Sequence, residues 1–145
     1  MKHMTAPEII SQDGTILALI IRSDVSATET TFFTSHDSPF QVGFVVYPAA
    51  GAVVPHVHLP VVREVVGTSE LLVVRSGRCI MDVYDADRQL VCSRELLAGD
   101  TVLSIGGGHG FRMLEDTVLF ELKQGPYAGG AEKDRFGAGP SPEQR

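Results

Sequence analysis

Short apolar stretches recur along this chain, each broken within a few residues by Gly, Pro, Asp or Ser. Such short segments, rich in Val, Ile, Leu and Phe and bounded by turn residues, predict strands. These fall at Thr15–Arg22, Thr30–Thr34, Gln41–Tyr47, Ala52–His58, Glu70–Ser76, Arg78–Tyr84, Gln89–Leu96, Thr101–Ile105, Gly110–Leu114 and Thr117–Lys123. No long window carries an apolar stripe at helical spacing, so helices are not expected. Many short strands separated by turn residues indicate an all-β sandwich or closed barrel. No repeat at a solenoid or propeller period interrupts this picture.

One hairpin is specified closely by the pattern. With a tight turn at Ala86–Asp87, Val83 faces Leu90, Met81 faces Cys92 and Cys79 faces Arg94, so that Cys79, Met81, Val83, Leu90 and Cys92 share the inward face. On the other face Arg78 lies opposite Glu95, a modest cross-strand ion pair. The two cysteines are then diagonal neighbours, poorly placed for a disulfide, and both read as buried thiols. The run TILALIIRS alternates poorly and would bury both faces as a strand.

Bulk properties narrow the field. A chain of 145 residues is most simply one domain with a real core. The pattern divides it into a flexible N-terminus (1–12), a β-domain (13–125) and a Gly/Pro-rich C-terminal tail (126–145), with disorder expected over the last ten residues. A net charge of −6 argues against a nucleic-acid partner. The absence of any basic run argues against a membrane surface. The N-terminus MKHMTAPE has no apolar signal core, and two cysteines make no disulfide framework or CxxC zinc site. A reduced cytoplasmic setting is expected.

Against this background a few polar residues stand out. Residues two apart in a strand share a face, so His56 and His58 point the same way. Glu70 shares its face with Leu72 and Val74, an apolar side on which an unpartnered carboxylate is costly. A metal ion removes that cost. His109 follows a strand and three glycines, Gly106 to Gly108, which let the backbone turn sharply. Three imidazoles and one carboxylate suit a borderline divalent transition metal such as Zn, Mn, Fe, Ni or Co. If six-coordinate, the ion would keep open positions for water or substrate.

Taken together, these residues resemble the cupin family of small β-barrels. The family's first motif is matched by His56-Val57-His58, then Glu70, then Gly77 after six further residues. The other motif resembles GDTVLSIGGGHG, from Gly99 to His109. The resemblance implies a single-domain cupin-type β-barrel or jelly roll (a double-stranded β-helix) with metal ligands His56, His58, Glu70 and His109. Eleven residues separate His58 from Glu70, an insertion relative to the motif, and Ile105 stands where the other motif carries proline. Glu64 is therefore a rival ligand, but Glu70 keeps the spacing to Gly77. The insertion, the IGGGHGF turn and the ending LKQGPYAG resemble small cupins of polysaccharide and nucleotide-sugar pathways.

The expected function follows from the resemblance: a metal-dependent enzyme acting on a small oxygen-rich, carbohydrate-like molecule by isomerase, epimerase or lyase chemistry. Two alternatives stand beside it: a non-catalytic, metal-dependent binding or sensing module, and a dioxygenase with a redox-active metal. No general base is evident outside the ligands. Candidate substrate contacts are Arg63, Lys123 and Tyr127, with Lys133 and Arg135 in the tail. The resemblance also implies a homodimer.

Overall fold

A computed structural model describes residues 6–137. Within that span the chain is all-β, with antiparallel pairing throughout. A five-stranded sheet contains β1 (Glu8–Gln12), β2 (Thr15–Ile21), β5 (Glu70–Ser76), β8 (Thr101–Ser104) and β10 (Val118–Lys123), ordered β1-β2-β8-β5-β10. A three-stranded sheet holds β6 (Arg78–Tyr84), β7 (Leu90–Leu97) and β9 (Gly108–Met113), ordered β7-β6-β9. A small ribbon pairs β3 (Thr31–Phe32) with β4 (Gly43–Phe44). The architecture is consistent with a β-sandwich.

The core lies between the two larger sheets. Leu17, Ala18 and Ile20 of β2, Val74 of β5 and Val102 of β8 pack with Cys79, Met81 and Val83 of β6 and Leu96 of β7. These side chains alternate along their strands as a half-buried sheet requires, except in β2. There Leu17 to Ile20 are all buried, because Leu19 points away from the core cluster toward the loop that carries Phe33 and Pro39. The run that alternates poorly is therefore covered on both faces within one chain.

Gly77 alone carries the chain from β5 in one sheet to β6 in the other. Its φ is +85°, and a Cβ there would lie 2.2 Å from the carbonyl oxygen of Asp116. Only glycine fits this corner. Nearby, Asp100 ties the β7–β8 turn to the end of β2. Its carboxylate accepts from Arg22 Nη1 at 2.9 Å, from the Ser23 N–H and from the Leu97 N–H.

Several elements differ from the pattern's expectation. β1 has a single buried side chain, Ile10, too little periodicity to mark a strand, although it lies in the stretch read as a flexible N-terminus. The expected strand Ala52–His58 is not formed: residues 45–69 belong to no strand, and residues 51–68 are exposed. Pro55 and Pro60 withhold backbone donors from any ladder there.

The β6–β7 hairpin forms, but two residues out of the expected register, with Val83 opposite Cys92, Met81 opposite Arg94 and Cys79 opposite Leu96. The cause is the turn. The Arg88 N–H donates to the Asp85 carbonyl and the Asp85 N–H to the Gln89 carbonyl, with Arg88 at φ +65°. The Asp85 carboxylate accepts from the Asp87 and Gln89 N–H groups. This longer loop replaces the two-residue turn. A shift of two preserves the inward face for Cys79, Met81 and Val83, but leaves Leu90 exposed and Cys92 half-buried. Arg78 and Glu95 still meet, diagonally, at 3.1 Å. Both thiols are free.

The described part of the tail folds back on the body. A 3-10 turn at Gly129–Glu132 places Glu132 3.5 Å from Lys123, and Phe136 packs edge-on against Tyr84. Of the ten terminal residues expected to be disordered, 138–145 lie outside the described residues.

Candidate functional site

Four strands from both sheets bring a polar cluster to one end of the sandwich. Glu70 opens β5 and pairs in register with Ser104, the last residue of β8, on one side and with Lys123, the last of β10, on the other. His109 lies on β9 of the opposing sheet, next to Val83 of β6. Across the gap, His109 Nε2 lies 3.0 Å from Glu70 Oε2, and His109 Nδ1 lies 2.8 Å from Ser104 Oγ. Imidazole, carboxylate and hydroxyl thus form one connected chain between the layers.

Local backbone geometry explains how His109 reaches this position. Gly107 adopts φ +61°, and a Cβ there would lie 2.1 Å from the Tyr84 carbonyl oxygen. The glycine run therefore lets β9 begin directly against the end of β6. From there His109 projects inward, with its ring edge-on to Phe111 at 5.7 Å between centroids.

Glu70 is only 7% exposed. The hydrogen bond with His109 holds its carboxyl below the ordinary carboxylate value, against the burial that pushes it up. The nearby charges of Lys133 and Lys123 act in the same direction. The cost anticipated for an inward carboxylate is thus met in this chain by an imidazole and two nearby lysines. When His109 Nε2–H donates to Glu70, Nδ1 is left to accept from the Ser104 hydroxyl.

The anticipated four-residue set is only partly assembled. Glu70 and His109 meet, while His56 and His58 lie on the 45–69 arm, within its exposed 51–68 stretch. Their rings are 5.1 Å apart, and His56 Nδ1 is 2.9 Å from the Val54 carbonyl oxygen. Among the described residues, no group of three or more His, Cys, Asp or Glu side chains is gathered so as to hold a metal ion. The donor types fit a transition metal; their placement within one chain brings two of them together. Glu64, the rival carboxylate, is on the exposed arm as well.

The substrate-contact candidates separate in the same way. Arg63 is on the arm and exposed, whereas Lys123 is half-buried beside Glu70, 3.7 Å from Glu121 and 6.0 Å from the Tyr127 ring centre. Ser104 and Glu132 join the cluster although nothing in the sequence pattern marks them. A serine closing a strand and a glutamate in a Gly-rich tail carry no periodic signal. A mostly apolar cavity of about 390 Å³ lies elsewhere, lined by Ile16, Leu19, Phe33, Pro39 and Ile105 among others, and contains none of the candidate ligands. Compared with protein-family models, curated proteins and solved structures, the chain matches none.

Proposed function

We propose that this chain is a cupin-type metal-binding protein, with His56, His58, Glu70 and His109 as the ligands of one divalent transition metal, and that it acts on a small oxygen-rich, carbohydrate-like molecule. The observation that carries the reading is the Glu70–His109 pair. Two residues far apart in sequence, each belonging to a different motif, meet at 3.0 Å between the sheets. When bound, such an ion would polarise a carbonyl or bind a hydroxyl as a Lewis acid.

The chain's own residues have definable parts in this. Glu70 is held in its ionised form, the form a cation requires. Ser104 fixes the orientation of the His109 ring through Nδ1 and so turns Nε2 toward Glu70. Lys123 and Lys133 place positive charge beside the carboxylate and would orient an anionic or polyhydroxylated ligand.

A non-catalytic binding or sensing role is the second reading. It is favoured by the character of the groups around the pair: Ser104, Lys123 and Lys133 are binding groups, not a matched acid and base.

Metal analysis of tag-free protein tests the proposal. Wild-type protein should carry about one ion per chain and His58→Ala far less, since a lost ligand costs affinity heavily. Equal metal content in the two would overturn the ligand set. Incubation of metal-loaded protein with sugars and nucleotide sugars, with and without oxygen, then separates the roles. Turnover lost in His109→Ala supports an enzyme, oxygen-dependent turnover a dioxygenase, and saturable binding without product a binding module.

A further inference from the structure

We propose that the arm of one copy completes the site of a second copy: residues 52–58 pair as a strand along the free edge of β9 and deliver His56 and His58 beside His109 and Glu70. The role of the delivered histidines rests on the metal reading above; the exchange itself rests on separate observations.

The first is an unfilled edge. In the order β7-β6-β9, the outer side of β9 has no partner among the described residues. A strand edge in that state exposes unpaired N–H and C=O groups and favours the addition of another strand. Gly110, at the middle of β9, has open space around it. A strand added there would place its side chains about 5 Å from those of β9. His109 projects into the gap between the sheets, so inward-facing imidazoles on that strand would lie within ligand distance of it.

The second is the arm itself. Val54, Val57 and Leu59 are each more than three-quarters exposed, and Val53 and Val61 more than half. Proteins seldom leave so continuous an apolar stretch uncovered. His56 and His58 already occupy same-face positions two residues apart, with their rings in contact. Pro55 would cost a strand one backbone donor, which an added edge strand tolerates with its N–H side facing solvent.

Charge and symmetry identify the occupant as another copy of this chain. From Ser38 to Val62 the sequence contains no Asp, Glu, Lys or Arg, while the whole chain carries −6. Two copies share a net negative charge, and this segment carries none of it, so it can approach a second copy without like-charge opposition of its own. The body it would meet is apolar in turn: β10, an edge strand of the five-stranded sheet, exposes Val118, Phe120 and Leu122 on one face. Held at its base by the Val46 N–H on Thr30 Oγ1 and by the Ser69 N–H on Gln124 Oε1, the arm is exposed from 47 to 68. A reciprocal two-fold exchange covers both arms and both β9 edges at once.

Complementation tests the exchange. One chain carries His56→Ala/His58→Ala, the other Glu70→Ala/His109→Ala, and the two are refolded together with zinc. Each parent alone should bind almost none. The mixture should recover about a quarter of the wild-type zinc, because half of randomly paired dimers would contain one intact composite site of two. A mixture no better than its parents, beside a zinc-loaded wild type, overturns the exchange.

Should wild type itself bind no metal, the metal reading fails, and the exchange is judged by sedimentation mass. A two-chain mass that falls to the single-chain 15.6 kDa in Val54→Asp/Val57→Asp supports it. A single-chain wild type, or a two-chain mass that survives the arm substitutions, overturns it.

Discussion

Two valine-rich stretches of this protein have opposite fates. In β5, Leu72 and Val74 are buried against the facing sheet. In the arm just before it, Val62 is fully exposed and Val66 92% exposed. Both segments have strand-like composition, so composition does not separate them. The difference lies in neighbours. β5 has β8 on one side and β10 on the other, and its alternation presents one face to the core. The arm has prolines within it and no ladder partner. β-propensity thus becomes a strand only where a second edge accepts it.

Core and arm should respond very differently to the same kind of truncation. Met81 is fully buried, and Met81→Ala should lower unfolding free energy by about 2–5 kcal/mol in urea titrations. Val62→Ala, measured in the same way on dilute protein, should change it by less than about 0.5 kcal/mol. Comparable losses at both positions would mean that the arm is packed in its own chain.

At the margin of the core, Asp82 sharpens the contrast. Its carboxylate receives Arg112 Nε at 2.8 Å and Nη2 at 2.9 Å, as well as the Ser93 hydroxyl. The Arg112 hydrogen bonds hold its pKa below the ordinary value, outweighing burial. A depressed folded-state pKa contributes stability that is complete above the unfolded value of about 3.9 and is lost as pH falls through the folded value. Asp82→Asn should therefore cost about 1–3 kcal/mol near neutrality and flatten stability against pH in the acid range. A variant with the wild-type acid profile would remove Asp82 from this role.

The arm's own response should depend on concentration. Trypsin should cut first after Arg63, and the cut should slow as protein concentration rises if exchange covers the segment. Uniform cleavage at all concentrations would count against coverage. The smallest effect belongs to the exposed ion pair between Arg78 and Glu95. Arg78→Ala should shift stability by at most about 0.5–1 kcal/mol, and less in high salt.

Legibility in the sequence follows the same division. β5 and β6 are readable to the residue, because short apolar-rich runs end at turn residues on both sides. β1 is not, since one buried isoleucine makes no pattern. The hairpin faces are readable but the register is not, because the Asp85 carboxylate and left-handed Arg88 set the loop length, and neither leaves a hydrophobic signature. Glu70 and His109 stand out through motif spacing. Ser104, which touches the same imidazole, offers no signal in one dimension. The strand expected at Ala52–His58 shows the limit most clearly: periodicity reports a face able to pack, and pairing also requires an edge to receive it.

The corner at Gly77 has a consequence for how this molecule opens. Because a single residue joins β5 to β6, the ribbon from Glu70 to Tyr84 is one folded strip shared by both layers. Neither layer can peel away without dragging the other. Amide protons of β5 and β6 should therefore exchange with deuterium as one cooperative unit, and Glu70 and His109 should part only when that unit gives way.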